Sequence, residues 1–380
     1  MRKILVISQS YTPPVFAGNQ KCILEYCEML KYLGAHVSFL YLQGFKKTNP
    51  DDLDIFKKYW GDNLFIYKRK LLLETPVRII GKLRKPFTKF NFLDEKYPFG
   101  LTRYVKQLQK KHNFDIIIIN YITLSRLFCQ DLQCKKIIFT HDCFTFKNER
   151  LQTPKTLINL KPNDEAKGLR RGDTILSIQE NETTLFRYLY PSGDIKTAYS
   201  IFPVHDTAVE ANTKNILFLA GDSQLNINGI TTFIQHVFPL ILKAEPQAKL
   251  IIAGNICDKL IHLQHNNIEL QGRIDDVTAF YSQGDIAINP VYQGTGLKIK
   301  TLEALSYGKA TVVHPHSTEG LFNQYNIPVL IGHTHDEFAA QIIKLMQDKK
   351  LRKEISSKSI NYIKDMNTYI QDQYNKIVTL

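Results

Sequence analysis

The distribution of apolar and polar positions predicts a chain of alternating strands and helices. Residues 4–7 and 37–42 are apolar runs of strand length, and the stretch between them, 19–33, has helical periodicity. This βαβ opening is typical of a parallel sheet. Further on, residues 115–119 and 136–140 are apolar almost throughout, as expected of strands in a sheet that is covered on both faces.

The same alternation restarts in the second half of the chain, after an aperiodic stretch. Strands are predicted there for residues 215–220, 249–253, 268–272 and 286–290, with helices between them. The predicted fold class is therefore α/β, with two doubly wound parallel-sheet domains. We expect an N-terminal domain over 1–203, a linker at 204–214, a second domain over 215–360, and a C-terminal helix over 361–380 that packs on the first domain.

Between Gln43 and about Lys96 the periodicity loosens into a basic, aromatic-rich insertion. Within it, the segment 77–90 mixes Arg78, Lys82, Arg84, Lys85 and Lys89 with Ile79, Ile80, Leu83, Phe87 and Phe90. Such a segment can lie on an anionic membrane surface or hold a charged acceptor. The alternative is a solvated helix face that makes a few core contacts.

Composition and charge indicate which kinds of molecule the protein can bind. The chain has 380 residues, of which 44% are hydrophobic, as in ordinary globular proteins. Its formal net charge of +13 favours anionic partners such as nucleotides, lipid headgroups or nucleic acid. Because no helix-turn-helix, zinc or aromatic RNA-binding signature accompanies the charge, we expect no nucleic-acid partner.

The cysteines and the apolar runs indicate a compartment. The six cysteines form no C-x-x-C pair and have no matching His spacing, which predicts reduced, mostly buried thiols and no metal site. There is no run of eighteen apolar residues and no cleavage-site pattern, so we predict neither a transmembrane span nor a signal peptide. We expect a cytoplasmic protein, at the inner face of the membrane if segment 77–90 docks there.

The stretch from Gly294 to Gly308 is the strongest candidate for a binding site. It predicts a strand end, a glycine-bearing loop, and a helix that carries Lys298, Lys300 and Glu303. A glycine loop that opens a helix presents free backbone N–H groups and the positive end of the helix dipole, which favours an anion. Two lysines in the first turn oppose that dipole unless a phosphate or carboxylate lies between them.

Two further candidates lie in the first half. His141 follows the predicted strand 136–140, at the edge where ligands bind in doubly wound sheets. The loop that follows the first strand contains Pro13 and Pro14 and ends with Gly18 at the mouth of a helix. That loop suits close approach to a phosphate, and it suits a rigid connection equally well.

The ordered motifs of the second half resemble those of a known family. They are Leu217-Phe-Leu-Ala-Gly221, Asn228-Gly229, Leu250-Ile-Ile-Ala-Gly254, Gly272-Arg-Ile-Asp-Asp276, Asp285-Ile-Ala-Ile-Asn-Pro290, Gly294-Thr-Gly-Leu-Lys-Ile-Lys-Thr-Leu-Glu-Ala-Leu-Ser-Tyr-Gly308 and Glu319-Gly-Leu321. Together they resemble the retaining GT-B glycosyltransferases of family 4, the "glycosyl transferases group 1" type. The N-terminal half matches in outline, through the Pro13-Pro14 loop and Thr140-His141-Asp142.

The resemblance implies a nucleotide-diphosphate sugar held in a cleft between the domains, mostly by the second domain, with the acceptor on the first. The donor is a substrate, and no other cofactor is implied. The catalytic residues would be His141 near the transferred sugar, Lys298 at the diphosphate and Glu303 at the ribose hydroxyls. The donor-binding residues would be Gly18, Gly221, Gln271, Gly272, Gly294, Thr295, Gly296, Leu297 and Lys300.

The chain departs from the family pattern at two points. Thr295 stands where the paired-glutamate pattern has its first Glu, and residues 221–229 lack the usual Arg/Lys pair. Lys298 and Lys300 are candidates to supply the missing charge. Because no D-x-D cluster lies near the proposed site, we predict transfer without a metal ion.

Three functions are compatible with these motifs. The first is transfer of a sugar to a glycan or lipid-linked acceptor in the synthesis of cell-surface polysaccharide or glycoconjugate. The second is a nucleotide-sugar 2-epimerase of the same architecture, because a fold does not fix a function. The third is a degenerate transferase that acts as a binding partner, which Thr295 and the missing Arg/Lys pair motivate.

Overall fold

The computed structural model describes residues 1–15, 18–45, 49–84, 87–151, 158–205, 213–263 and 265–379. The chain divides into two compact units. Unit 1 comprises Met1–Ile201 together with Ile370–Leu380, and unit 2 comprises Phe202–Tyr369. Of the linker predicted at 204–214, residues 206–212 lie outside the described residues.

Unit 1 contains, in its described part, a parallel sheet of seven strands. They are β1 (Lys3–Ser8), β2 (His36–Gln43), β3 (Leu64–Lys68), β4 (Ile116–Asn120), β5 (Lys135–Phe139), β6 (Thr174–Ser177) and β7 (Asp194–Thr197). Their order in the sheet is β3-β2-β1-β4-β5-β6-β7. The apolar runs in β1 and β4 are buried, as a sheet covered on both faces requires.

Helices connect these strands. Those among the described residues are α1 (Gly18–Tyr32), α2 (Pro50–Trp60), α3 (Leu71–Arg84), α4 (Leu101–His112), α5 (Lys147–Leu151), α6 (Pro162–Leu169) and α7 (Glu180–Leu189), with 3-10 turns at Gly61–Asn63 and Ile122–Cys129. Helix α1 buries Ile23, Tyr26 and Leu30 at helical spacing. The predicted helix 19–33 and strands 4–7 and 37–42 are thus confirmed within one residue at each end.

The interpretation of residues 43–96 as a loosened insertion is wrong for most of its length. It contains α2, the edge strand β3 and α3, and β3 pairs in parallel with β2 from Phe39 opposite Leu64 to Gln43 opposite Lys68. Strand β3 is an edge strand with three half-buried residues, so its sequence lacks the continuous apolar run that marks a central strand.

Unit 2 contains a parallel sheet in which six strands are described. They are β8 (Asn215–Leu219), β9 (Lys249–Ala253), β10 (Ile268–Leu270), β11 (Ile286–Asn289), β12 (Ala310–Val313) and β13 (Val329–Ile331), in the order β10-β9-β8-β11-β12-β13. The helices among its described residues are α8 (Gln224–Thr232), a π-helix (Phe233–Val237), α9 (Phe238–Ala244), α10 (Val277–Tyr281), α11 (Ile299–Ser306), α12 (His335–Gln347) and the first part of α13 (Lys349–Thr379), whose residues from Ile370 onward belong to unit 1. Short 3-10 turns lie at Asn255–Lys259, Pro315–Thr318 and Gln324–Asn326. The predicted α/β class with two parallel sheets is confirmed.

One helical stretch of unit 2, Gln224–Ala244, is long and apolar enough to cross a membrane by length and composition. Its Ile230, Phe233 and Ile241 are buried in the core that covers one face of the unit 2 sheet. Burial of that apolar face is what a core helix of a globular domain shows.

The cysteines are free thiols, as predicted. Four of them, Cys22, Cys27, Cys143 and Cys257, are buried, and Cys129 is exposed. Burial raises the pKa of Cys22 to about 12, so this thiol stays protonated at neutral pH.

Candidate functional site

The candidate site of unit 2 lies where the strand order of its sheet reverses direction. If the six strands are numbered along the chain with β8 as strand 1, their order in the sheet is 3-2-1-4-5-6. The reversal falls between strands 1 and 4, which are β8 and β11. Ligands of doubly wound sheets bind at the carboxyl ends of the strands at such a point. The loop after β11, residues 290–298, and the loop after β8, which begins at Ala220, both leave the sheet there.

Glycines give the loop after β11 its shape. Gly294 and Gly296 have φ angles of 147° and 78°, a region that side-chain-bearing residues rarely adopt. Across from the loop, a Cβ on Gly229 of α8 would lie 3.0 Å from Val291 Cα and 3.1 Å from Pro290 O. Because both contacts are to backbone, glycine at 229 lets α8 pack against the start of the loop.

A buried hydrogen-bond network joins this loop to the helix that follows it. Thr301 Oγ1 of α11 accepts from Asn289 Nδ2 and donates to Ser317 O, at 3.0 Å in each case. Ser317 Oγ in turn donates to Val291 O at 2.9 Å. Thr301, Asn289 and Ser317 are all buried, so the network fixes the position of the first turn of α11.

Lys298 occupies the N-cap position of α11 without a capping hydrogen bond from its side chain, and it is oriented by a histidine that was not predicted from the sequence. Lys298 Nζ lies 3.0 Å from His316 Nε2, and His316 Nδ1 lies 2.9 Å from Glu319 Oε2. Burial and the charge of Lys298 lower the pKa of His316, so its ring is neutral at pH 7. A neutral ring donates from Nδ1 to Glu319 and accepts from the Lys298 ammonium at Nε2.

Lys300, on the first turn of α11, titrates unusually low for a lysine. Burial, followed by the charge of Lys298, lowers its pKa to about 8. Two ammonium groups this close repel each other, and an anion bound between them would raise the pKa of Lys300 again. An anionic ligand bound here would therefore stabilise the charged form of Lys300.

Glu303 lies one turn further along α11, next to an aromatic stack. Burial is the main cause that raises the pKa of the Tyr281 hydroxyl, and the negative charge of Glu303 raises it further. Tyr281 stacks on Tyr307 with ring centroids 4.5 Å apart, and Tyr307 stacks on His205 at 3.8 Å. The Glu303 side chain is half-buried, and a carboxylate has two oxygens that can each accept hydrogen bonds from hydroxyl groups.

The other predicted donor-binding residues of unit 2 follow strands β8 and β10, which lie on either side of β9. Gly221 follows β8 and Gly272 follows β10, where Gly272 has a φ of 68°. The side chain of Gln271 donates to Glu269 Oε1 at 2.7 Å and to Gln283 Oε1 at 2.6 Å. The Gln271 side-chain amide is thus engaged within the unit, and its backbone N–H donates to Ile252 O at 2.9 Å.

In unit 1, His141 follows β5 and is held in a left-handed conformation with a φ of 57°. Its ring stacks on Phe139 at 4.4 Å, and its Nε2 lies 2.6 Å from Asn120 Oδ1. Asn120 Nδ2 donates to Ile7 O at 3.0 Å, which directs Oδ1 toward the histidine. His141 therefore donates from Nε2, and Nδ1 carries the lone pair.

Burial lowers the pKa of His141 to about 3. The ring is therefore neutral at every physiological pH. In this state Nδ1 of His141 can accept a hydrogen bond, and the one ring proton, on Nε2, is donated to Asn120 Oδ1.

Two buried carboxyl groups next to this histidine were not selected from the sequence. Glu165 accepts from Phe144 N at 2.9 Å and from Thr145 N at 2.5 Å, so it fixes the loop that follows His141. Burial and the charge of Asp142 raise the pKa of Glu182 to about 8, which keeps this carboxyl protonated at neutral pH. Neither residue carries a sequence motif, because both act through tertiary contacts.

Gly18 is the first residue of α1 and is exposed. The loop before it is anchored to its surroundings, since Trp60 Nε1 donates to Thr12 O at 2.8 Å and Gln20 Nε2 donates to Tyr11 O at 2.9 Å. This anchoring fits both the phosphate-binding and the rigid-connection interpretation of the loop.

The predicted site residues thus fall into two groups, each within one unit. Gly221, the loop 294–297, Lys298, Lys300 and Glu303 belong to one edge of unit 2, whereas His141 and Gly18 belong to the carboxyl edge of the unit 1 sheet. In the part of the chain that the structure describes, no group of three or more His, Cys, Asp or Glu side chains is arranged to hold a metal ion.

Comparison with known proteins agrees with the fold and with the family resemblance of the second half. Residues 213–348 match the family model "Glycosyl transferases group 1". A protein from the cps region of Klebsiella pneumoniae, described as uncharacterized, is 22% identical over 96% of both chains. This chain is also similar to a point mutant of S. aureus TarM in complex with Fondaparinux, α-GlcNAc-glycerol and UDP, at a TM-score of 0.70 and 11% identity over all of both chains. A complex of Anabaena HepE with UDP-glucose gives a TM-score of 0.66 at 14% identity, again over all of both chains.

The match over 213–348 identifies a glycosyltransferase domain, and the structural neighbours show that the chain has the GT-B fold. Within that class, the region 213–348 matches the group 1 glycosyltransferases, as the motifs from Leu217 to Leu321 indicated.

Proposed function

We propose that this enzyme transfers a hexose from a nucleotide-diphosphate sugar to a glycan or lipid-linked acceptor, with retention of anomeric configuration. The observation that carries the proposal is the cationic loop and helix start of unit 2, in which Lys298 and Lys300 flank the N-terminus of α11. The UDP and UDP-glucose complexes of the structural neighbours support a nucleotide-sugar donor. The relative from a cps region supports a place in polysaccharide synthesis.

Unit 2 binds the donor in this proposal. The backbone of 294–297 and the Lys298 ammonium contact the diphosphate, and Glu303 accepts hydrogen bonds from the ribose hydroxyls. The backbone at Gln271 and Gly272 lines the base. Unit 1 contributes Nδ1 of His141 as an acceptor for a sugar hydroxyl.

Charge development at the leaving group determines what the site must do. Departure of the diphosphate leaves an oxocarbenium-like sugar and places new negative charge on a phosphate oxygen. Preorganised N–H donors and cations at that oxygen lower the barrier. Lys298, held by His316, and the amides at the start of α11 supply them, and we propose that transfer proceeds without a divalent metal ion.

The direct test is product analysis with a panel of UDP-, GDP-, ADP- and CMP-linked sugars. We expect release of the nucleotide from at least one donor, increased by acceptor and unchanged by EDTA. Conversion of the donor to its epimer without nucleotide release would show an isomerase instead. Loss of transfer in EDTA, restored by Mn²⁺ or Mg²⁺, would contradict the metal-free mechanism.

We further propose that segment 77–90 contacts an anionic membrane surface. Leu83 and Phe87 are 67% and 89% exposed, and Ile79 and Ile80 are half exposed. Lys85 lies outside the described residues, as do the side chains of Arg78, Lys82 and Arg84. Exposed apolar side chains in a basic segment fit a surface that is negative and apolar beneath its headgroups.

Substitution of two exposed side chains tests this contact. Leu83→Glu combined with Phe87→Glu is expected to reduce sedimentation with phosphatidylglycerol vesicles to the level seen with phosphatidylcholine. The matched control is Tyr32→Glu with Tyr188→Glu, two exposed side chains elsewhere in unit 1. Equal sedimentation of both variants and the wild type would identify the segment as a solvated helix face.

A further inference from the structure

The excess positive charge of the chain resides in unit 1. Residues 1–201 and 370–380 contain 34 Lys and Arg against 20 Asp and Glu, a net charge of +14. Residues 202–369 contain 15 against 16, a net charge of −1. The unit with the nucleotide-sugar motifs is therefore close to neutral, and a donor bound there leaves the charge of unit 1 unexplained.

Six of the 34 basic residues of unit 1 line one groove. The groove has a volume of 1380 Å³ and runs between α2, the edge strand β3 and α4. Its basic lining residues are Lys57, Lys68, Lys70, Arg103, Lys106 and Lys110. Among the described residues that line it there is no Asp or Glu. We call it the unit 1 groove.

Helical spacing explains how α4 contributes to this groove. Leu101, Val105 and Leu108 form its buried face, whereas Arg103, Lys106 and Lys110 project from the opposite, exposed face. Three basic side chains on one face of a helix repel one another unless an anion lies beside them. This repulsion is reduced when an anionic ligand occupies the groove.

Most of the cations have no acidic partner. Lys57 pairs with Asp54 at 3.0 Å, and Lys106 donates to Gln130 at 2.8 Å. Lys68, Lys70, Arg103 and Lys110 form no ion pair with any residue that the structure describes. Their charges are available to a ligand.

The groove also presents aromatic rings. Phe99 is 53% exposed and Tyr104 is half-buried, whereas Tyr67 is buried with its ring centroid 5.2 Å from that of Tyr104. Aromatic faces provide apolar surface against which the C–H groups of a sugar ring can pack. The groove therefore has cationic side chains that can bind a negatively charged polymer and aromatic side chains that can pack against sugar rings.

The unit 1 groove lies far from His141. Strand β3 is four positions from β5 in the sheet, and neighbouring strands lie about 4.8 Å apart, so the two strands are about 19 Å apart. A single sugar next to His141 cannot reach across that distance. A polymer of several sugars can.

We propose that the unit 1 groove binds a negatively charged stretch of the acceptor glycan, away from the end that receives the sugar. This inference rests on the proposed transferase function. An anionic bilayer is the competing source of negative charge, but a flat surface does not enter a concave groove, whereas an extended chain does.

Binding of labelled dextran sulfate to the full chain tests the proposal, with neutral dextran as the reference ligand. We expect dextran sulfate to bind with an affinity that falls with added salt, and dextran to bind weakly. Lys68→Glu with Arg103→Glu is expected to weaken dextran sulfate binding about tenfold or more. Lys167→Glu with Lys376→Glu, two exposed positions outside the groove, makes the same change of charge and is expected to have less than about a twofold effect.

A second readout separates this proposal from the proposed function. Stabilisation by UDP or another nucleoside diphosphate is expected to be equal in the wild type and the groove variant. If the double variant does not fold, the single substitution Lys110→Glu takes its place. Equal dextran sulfate binding by the groove variant and the control variant would overturn the proposal. A groove variant that loses binding to phosphatidylglycerol vesicles but binds dextran sulfate as tightly as the wild type would also overturn it.

Discussion

Replacement of Lys298 by methionine is expected to lower the turnover of sugar transfer by a factor of about 10²–10³, or about 2.7–4 kcal/mol of transition-state stabilisation. Methionine keeps an unbranched apolar stem and removes the ammonium group. The charge on the diphosphate grows as the bond to the sugar breaks, so the loss falls on turnover more than on donor affinity. Steady-state kinetics at saturating donor measures it.

Two further variants help to interpret the effect of Lys298→Met. Lys344→Met, at an exposed position on α12, is the matched control and should retain full activity. His316→Gln removes the neutral ring that orients Lys298 but leaves the ammonium in place, so a smaller loss of turnover is expected. Wild-type turnover in Lys298→Met would remove this lysine from the mechanism.

Replacement of Glu303 by glutamine is expected to weaken donor binding about 10- to 150-fold. A hydrogen bond to a charged group contributes about 1.5–3 kcal/mol, and glutamine is uncharged and has one acceptor oxygen where glutamate has two. The effect should be larger for nucleotides with an intact ribose than for pyrophosphate. Titration calorimetry with the nucleoside diphosphate measures the change in Kd.

The matched control for this substitution is Glu354→Gln, an exposed carboxylate on α13 that pairs with Lys358. It should leave the Kd unchanged. If Glu303→Gln binds the nucleotide as tightly as the wild type does, the carboxylate is not at the ribose and its assignment is wrong.

The sequence predicted the elements around the unit 2 site because local signals define them. The apolar run of β11, the glycines at 294 and 296, and Gly308 after α11 mark a strand, a loop and a helix end without reference to the rest of the chain. The left-handed conformations of these glycines are the physical basis of that signal.

Features that depend on tertiary contacts were not predictable in the same way. His316 lies eighteen residues from Lys298, and their contact arises because β12 returns beside β11. The position of His141 at a strand end was predicted, but its neutral state follows from burial around Asn120 and Phe139. Strand β3, and with it the unit 1 groove, was missed because an edge strand lacks a continuous apolar run.

The most direct test of the account is whether nucleoside diphosphates bind to the unit 2 site. Thermal unfolding of the wild type should shift to higher temperature with at least one of UDP, GDP or ADP, because a ligand that binds only the native state stabilises it. The double variant Lys298→Met with Glu303→Gln should show no shift with the same nucleotide. A wild type that none of these nucleotides stabilises, or a double variant that shifts as much as the wild type, would contradict the central claim.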